Sequence, residues 1–270
     1  MVWEITRPPR TPVLHGVDMA GFRIHGDGPA QLRAIPHPAV TVAVNIGDHC
    51  FDVRDSTGRT HSGSLALGLT SSAATVRVQT IECVQVRLSP VVASAILGFP
   101  LAELTGNIVA LDELWGRDAT RLSERLHETC SWRERFALIE TTLSARLRDD
   151  RRSDPEVAWA WRQLIVSRGR FRVDRLAAEV GWSRQRLWSR FGKQIGLTPK
   201  RAAMLVRFDH AMHRLVRGHS PAQVAADSGY ADQPHLHRDV RGFTGAPLTS
   251  AAGEPWLAVD DKAWPASTAG

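Results

Sequence analysis

Apolar positions follow one rhythm in the first ninety residues and another after them. Residues 40–46 (VTVAVNI), 50–53 (CFDV), 75–79 (TVRVQ) and 83–88 (CVQVRL) are β-branched and partly alternating, which predicts short strands. Turn material separates them: GD from Gly47, DSTGR from Asp55 and the Gly/Ser-rich HSGSLALG. Several short strands so close together predict a small antiparallel barrel or sandwich. After Pro90 the spacing becomes helical in VVASAILG, in 118–128 and in 132–147. The charged run RDDRRSDPE, residues 148–156, is the expected linker, and the chain beyond it reads as helix.

The helical half says the same thing twice. In VDRLAAEVG (173–181), Leu176, Ala177 and Val180 share a face and Gly181 is a left-handed stop. Ser183 then caps SRQRLWSRFGKQIG, whose Leu187 and Phe191 point inward. Further on, Ser220 and Pro221 open PAQVAADS, with Val224 and Ala225 inside and Gly229 as the stop. Asp232 caps a last helix with Leu236 and Val240 inside. Both copies contain A-x-x-x-G, at Ala177 to Gly181 and, 48 residues on, at Ala225 to Gly229. The small residue lets two helices cross closely and the glycine permits the tight turn, the steric requirement of a helix-turn-helix.

Between the copies, Met204, Leu205, Phe208, Met212 and Leu215 form an apolar stripe over 199–217, with Arg201, Arg207, Arg214 and Arg217 opposite. About twenty helical residues span roughly 30 Å, against roughly 34 Å for a turn of B-DNA. Such a rod has the length to set two reading helices in successive major grooves.

Composition adds a partner. The 270 residues are 43% hydrophobic, enough to build cores for one large or two ordinary domains. Residues 151–250 hold 18 Lys+Arg against 8 Asp+Glu, and the rest of the chain holds 16 against 20. A basic C-terminal half beside a mildly acidic N-terminal one points to a polyanion. Cys50, Cys83 and Cys130 are scattered with no CxxC pair, which argues against a zinc ribbon or a disulfide framework. MVWEITRPPR has no apolar signal region, and the longest apolar run, 91–102, is short and interrupted. A cytoplasmic protein without a membrane span is expected.

G-x-S-x-G, Walker, H-E-x-x-H and kinase motifs are absent from the sequence, so no enzyme is expected. The segment GYADQPHLHRDVRGFTG (229–245) brings His235 and His237 close together. Residues i and i+2 point about 200° apart on a helix and cannot chelate one ion from it. No metal and no cofactor are expected.

LAAEVGWSRQRLWSRF, GLTPKRAAMLVRFDHA and AADSGYADQPHLHRDVRGFTG, within about 173–247, resemble the AraC/XylS-type transcription regulators. The last of them is similar to that family's G-[FY]-x-D-Q-x-H-[FL] core followed by a basic helix. Pro247 comes one position earlier than in the family and the usual aromatic-basic pair is missing after it. Trp188 and Ser189 stand where a small polar residue and an arginine are common.

The resemblance implies a sequence-specific DNA-binding transcription regulator. It puts Gln233, Pro234, His237 and Arg238 at base edges, where Gln suits adenine and Arg suits guanine, and Arg241 on phosphate. In the first copy, Ser183 is the cap, Arg184, Gln185, Trp188 and Ser189 are the base-edge candidates, and Arg186, Arg190 and Lys193 are the phosphate contacts. Trp188 has two readings, packing against a neighbour or touching a thymine methyl. Trp115, Trp132, Trp159 and Trp161 are expected in helix packing rather than in a ligand pocket.

The first half resembles the N-terminal sensing region of members of this family, which is often cupin-like. His37, His49 and His61 do not supply the metal motif of enzymatic cupins. The expected fold is α+β in two domains. A β-rich, cupin-like sensing or association domain with trailing helices covers 1–150. An all-α pair of helix-turn-helix motifs joined by a long helix covers 155–250, and a disordered tail covers 251–270. Double-stranded DNA, RNA polymerase, a small-molecule effector and a second copy of the chain are the expected partners. The alternative is a DNA-binding interaction module whose N-terminal half takes a protein instead of an effector.

Overall fold

β-branched stretches form strands where both of their faces find cover. The computed structural model describes residues 2–46 and 51–264; Gly47, His49, Cys50 and residues 265–270 of the expected tail lie outside them. Among the described residues eight strands form one sheet: β1 (Val2–Thr6), β2 (Val17–Ala34), β3 (Val40–Asn45), β4 (Asp52–Arg54), β5 (Thr60–Ser62), β6 (Leu65–Leu67), β7 (Ala74–Leu88) and β8 (Ile108–Ala110). The order is β1-β2-β7-β3-β6-β8, with β4 paired to β5 and β7. The pairings are antiparallel, as expected.

β7 is one continuous strand where local alternation suggests two. Its register with β2 runs from Val17↔Leu88 to Ala34↔Ala74, interrupted by a shift between His25 and Ala30. The period of two sends alternate residues to opposite faces. Val40, Val42 and Val44 of β3 and Val84, Val86 and Leu88 of β7 join a core shared with the helices. Phe22, Ile24, Ala43, Ile81 and Cys83 face a second core inside the curled sheet.

Short helices succeed the sheet: α1 (Pro90–Leu97), α2 (Leu101–Leu104), α3 (Leu111–Trp115), α4 (Arg117–Glu128) and α5 (Trp132–Arg146). The expected linker is a packed turn. Asp149–Arg151 form a 3-10 turn, Arg148 N–H donates to Ala95 O at 3.2 Å, and Ser153 Oγ donates to Val91 O at 3.2 Å. Then come α6 (Pro155–Val166), α7 (Val173–Glu179), α8 (Arg184–Ile195), α9 (Pro199–Val216), α10 (Pro221–Asp227), α11 (Gln233–Thr244), α12 (Leu248–Ala252) and α13 (Pro255–Ala263). The larger apolar core is continuous from the sheet through α1, α2 and α6 to α9 and α11.

The tail expected to be disordered is ordered through Trp264. α13 lies between the sheet and α9. Trp256 meets Trp3 and Phe22 with ring centroids 5.5 and 5.9 Å apart, and Trp264 carries Arg87 over its ring at 4.5 Å. Asp260 is buried and pairs with Arg87, while Asp261 accepts from Arg217 at 2.8 Å. Leu257, Val259 and Ala263 are buried as well. At about 1.5–3 kcal/mol for each large apolar side chain removed from water, that burial offsets part of the ordering entropy of the helix.

Candidate nucleic-acid interface

The two repeated motifs fold into matching units. In the first, α7 ends before Gly181 (φ +67°) and Trp182 N–H donates to Ala177 O at 2.9 Å. In the second, α10 ends before Gly229 (φ +75°) and Tyr230 N–H donates to Ala225 O at 3.0 Å. Ala177 and Ala225 are both buried where the helices cross. A side chain at either glycine would strain the left-handed turn.

The second helix of each unit is held by its expected cap. Ser183 Oγ accepts from Arg186 N–H at 3.2 Å, and Asp232 Oδ1 accepts from His235 N–H at 2.7 Å. Ser220 forms a reciprocal capping box with Gln223 at the start of α10. Leu187, Phe191 and Ile195 of α8 and Leu236, Val240 and Phe243 of α11 are buried, which turns the polar faces outward. Both units rest on α9, whose Leu205, Phe208, Met212 and Leu215 are buried in keeping with the stripe.

The candidate contact residues divide into free and committed groups. Ser183, Gln185, Arg186, Ser189 and Lys193 on α8, and Gln233, Pro234, His237, Arg238 and Arg241 on α11, are exposed. Arg186 stacks over Trp182 at 4.4 Å, and the His237 ring lies 3.3 Å from Gln233 Nε2. Arg184 is exposed but pairs with Asp174 at 3.4 Å. Arg190 gives both guanidinium arms to Asp154 at 2.8 Å each, so its charge is spent on the segment that enters α6. Trp188 is half-buried against the shared core, in keeping with packing. His235 turns its ring edge-on to Tyr230 at 5.2 Å.

The polar side of α9 is likewise not a free basic face. Arg207 pairs with Asp239 at 3.3 Å and lies 4.6 Å over Tyr230; Arg214 pairs with Asp227 at 2.6 Å and Arg217 with Asp261. These arginines bolt the second unit and α13 to the rod. The stretch SRGRFRVDR, residues 167–175, carries no helical period that would single it out in the sequence. Its Arg168, Arg170, Arg172 and Arg175 are exposed and have no carboxylate partner among the described residues.

The tryptophans of the helical segments pack. Trp161 faces Phe191, Trp159 faces Phe171, Trp132 faces Phe136, and Trp115 lies under Arg146. A cavity of about 100 Å³ lies instead inside the sheet, lined by Phe22, Ile24, Phe51, Ile81, Arg87 and Trp256 among others. At its polar end lies His37, half-buried, and desolvation reinforced by the Arg87 charge pushes its imidazole well below the usual range. Neither His37 Nδ1 nor Arg87 Nε has a hydrogen-bond partner among the described residues. No helix among the described residues is long and apolar enough to cross a membrane.

Known proteins bear on both halves. No curated protein matches the chain's sequence. ToxT from Vibrio cholerae, crystallised with (E)-4-(8-methylnaphthalen-1-yl)but-3-enoic acid, is 11% identical, covers 88% of this chain and 98% of its own, and superposes with a TM-score of 0.51. Apo ToxT K231A from Vibrio cholerae strain SCE256 is 11% identical over 91% and 98%, with a TM-score of 0.50. At that identity the likeness is one of fold: a β-rich N-terminal region succeeded by a helical C-terminal one. The AraC-like transcriptional activator CuxR aligns over 87% of this chain and 90% of its own at 13% identity, with a TM-score of 0.27, too low to compare architectures. The family described as "Helix-turn-helix domain" matches residues 176–251, the span of the two units. Residues 176–251 are therefore a helix-turn-helix domain of the AraC type, a DNA-binding domain of transcription regulators.

Proposed function

We propose that the protein reads two successive major grooves on one side of duplex DNA with α8 and α11, and that the N-terminal half sets how readily it does so. The observation that carries this reading is the duplication, with the same turn bond, the same kind of cap and contact with α9 in both units. The eighteen residues of α9 extend roughly 27 Å at about 1.5 Å per residue, close to one turn of the duplex. Gln233, His237 and Arg238, with Gln185 and Ser189, supply base discrimination, while Arg186, Lys193 and Arg241 supply affinity through phosphates. One chain carries both readers, so a dimer is optional, and RNA polymerase is the partner that a bound activator would meet.

Control comes from the cavity. At about 100 Å³ it is smaller than the roughly 150 Å³ that admits benzene, so a larger ligand displaces Trp256. The compound held by ToxT joins an aromatic body to a carboxylate; a ligand of that kind would lay its ring on the apolar wall and compete with Asp260 for Arg87. Because α13 is tied to α9 through Asp261 and Arg217, moving it changes the support of both units. Such a ligand acts only through different affinities for the arrangements before and after that movement.

Footprinting on selected genomic fragments tests the reading: two protected grooves one turn apart are expected. Titration with aromatic and alkyl carboxylates, monitored by Trp fluorescence, is expected to shift both emission and DNA affinity. A single protected groove, or protection equal on random DNA, rules out the two-groove reading. A protein that binds the N-terminal half and leaves Trp256 undisturbed replaces the ligand by a macromolecular partner.

A further inference from the structure

Arg184, Arg190, Arg207, Arg214 and Arg217 are each paired with a carboxylate, whereas four arginines without one gather in a single stretch outside the reading helices. Arg168, Arg170, Arg172 and Arg175 lie within eight residues, from the end of α6 into the first turn of α7, and have no ion pair among the described residues. Ser167, Arg170, Phe171, Arg172 and Arg175 line a shallow concavity there. Four unscreened guanidinium groups repel one another, so their assembly costs stability unless an anion is present.

The loop is held in shape. Gly169 N–H donates to Leu164 O at 2.8 Å and Phe171 N–H to Ser167 Oγ at 3.0 Å. Phe171 is anchored edge-on against Trp159 at 6.2 Å. A Cβ on Gly169 would strike the Ala203 carbonyl, so the loop backbone lies directly on α9. Arg168 is the only non-glycine residue with positive φ among the described residues, at +55°; bulky residues adopt that conformation only under constraint. Nearby His210 is pushed down to about 4 by burial, then by Arg168, Arg214 and Arg170, which marks the region as electropositive.

Its position gives it meaning. Asp174, two residues after Arg172, pairs with Arg184 at the first position of α8. At the other end, a Cβ on Gly229 would lie 3.0 Å from the Arg170 side chain, which sets Arg170 against the turn that leads into α11. The loop therefore bridges the N-terminal ends of both reading helices, the ends that approach base edges in helix-turn-helix complexes. When the two helices occupy successive major grooves, the duplex surface facing the space between them is the intervening backbone.

We infer that residues 167–175 form a phosphate cradle that grips the DNA backbone between the two reading helices. The planar guanidinium fork suits phosphate oxygens in pairs, and the fixed loop reduces the ordering cost of that grip. The inference rests on the two-groove reading, and its test separates the two. A free phosphorylated metabolite shares the chemistry, so the test includes it.

The test compares the full-length protein with R172A/R175A and with R10A/R117A, which removes the same net charge from the N-terminal half. Arg172 and Arg175 are exposed and have no carboxylate partner among the described residues, so thermal melting of the first variant is expected to match the parent. DNA affinity is measured against salt on a footprinted site and on random duplex. Each lost phosphate contact lowers the slope of log K against log salt by about 0.9. The cradle variant is expected to lose about 1.8 of slope and the same fold-affinity on both DNAs, while the control keeps the parental slope. Equal slopes for parent and cradle variant overturn the inference. If the parent itself shows no two-groove footprint, the proposed function fails first. Inorganic phosphate and pyrophosphate are titrated calorimetrically without DNA. Saturable binding that R172A/R175A abolishes, beside an unchanged DNA slope, assigns the loop to a free phosphate and overturns the DNA role. Retention of an acidic protein with the DNA slope unchanged does the same.

Discussion

The two helix-turn-helix units share a sequence pattern and differ in what holds them. The first leans on the N-terminal half: α8 packs its inner side on α1 and α2 as well as on α6, α7 and α9. Its Arg190 is clasped by Asp154 and its Arg184 by Asp174. The second is fastened to α9 by Arg207–Asp239 and Arg214–Asp227. It reaches the sheet near its far end, where Arg33 donates to Thr244 O at 3.0 Å. Its outward cations are uncommitted; Arg238 donates only to Pro234 O one turn back, at 3.4 Å. One pattern has therefore produced a unit built into the rest of the molecule and a unit that presents its charges to solvent. On the proposed function, the first is the unit braced by α1 and α2 and the second is where most discrimination resides.

The glycines that end the reading helices sharpen this contrast most strongly. Gly196 ends α8 at φ +91° and Gly245 ends α11 at φ +70°, so alanine at either costs about 1–2 kcal/mol of backbone strain. Around Gly245 a Cβ meets open space; at Gly196 it would fall on the Thr105 hydroxyl and 2.9 Å from the Leu101 carbonyl. Gly196→Ala is expected to cost a further ~1–3 kcal/mol through overpacking against α2. Urea unfolding of both variants measures the difference, and equal losses would mean that the α2–α8 contact does not brace the first unit.

Arginine replacements give the next largest contrast. Arg238→Ala is expected to lose about 1–3 kcal/mol of binding on the preferred site with discrimination relaxed at one base pair. Arg241→Ala is expected to weaken all sequences alike. Arg190→Ala, although the resemblance makes that residue a phosphate contact, is expected to leave DNA affinity within about twofold and to loosen the junction at Asp154, since its charge is already paired. Binding isotherms on specific and random duplexes decide; a uniform loss from Arg190→Ala would show that Asp154 releases it on DNA.

Legibility in the sequence tracks the range of the forces involved. The caps at Ser183, Ser220 and Asp232, the stops at Gly181 and Gly229 and the inward Leu187, Phe191, Leu236 and Val240 depend on neighbours within a few residues, and each is found where the pattern puts it. β2 is not legible because VDMAGFRIHGDGPAQLRA mixes glycine and charge with its apolar positions and is made a strand by pairing with β7. α13 escapes local reading because its partner Arg87 lies 173 residues from Asp260. The same distance effect hides the commitments of Arg190, Arg207 and Arg214, which local periodicity shows only as a polar face. The run 148–156 reads as a linker by its charge, and what composition does not show is that Arg148 N–H and Ser153 Oγ bond it to α1.

The smallest expected effect concerns acid. Asp209 on α9 faces His213, Asp260 and Arg87, and the Asp261 carboxylate meets the same His213 from α13. Burial pushes the Asp209 carboxyl up to about 6, which His213 partly opposes and Asp260 reinforces. A carboxyl whose folded pKa lies above its unfolded value of 3.8 keeps its proton longer in the native state. Its contribution is full below about pH 4 and is lost as pH rises through about 6. Across that window the parent is expected to lose up to about 1.4 kcal/mol per pH unit relative to Asp209→Asn, measured by urea unfolding at matched ionic strength. Because α9 carries both units but only the second is fastened to it by paired arginines, hydrogen exchange over the same pH range is expected to show the change more in α10 and α11 than in α7 and α8. Equal changes in the two units would mean that α1 and α2 transmit the strain as well as α9 does, and the division drawn between them would fall.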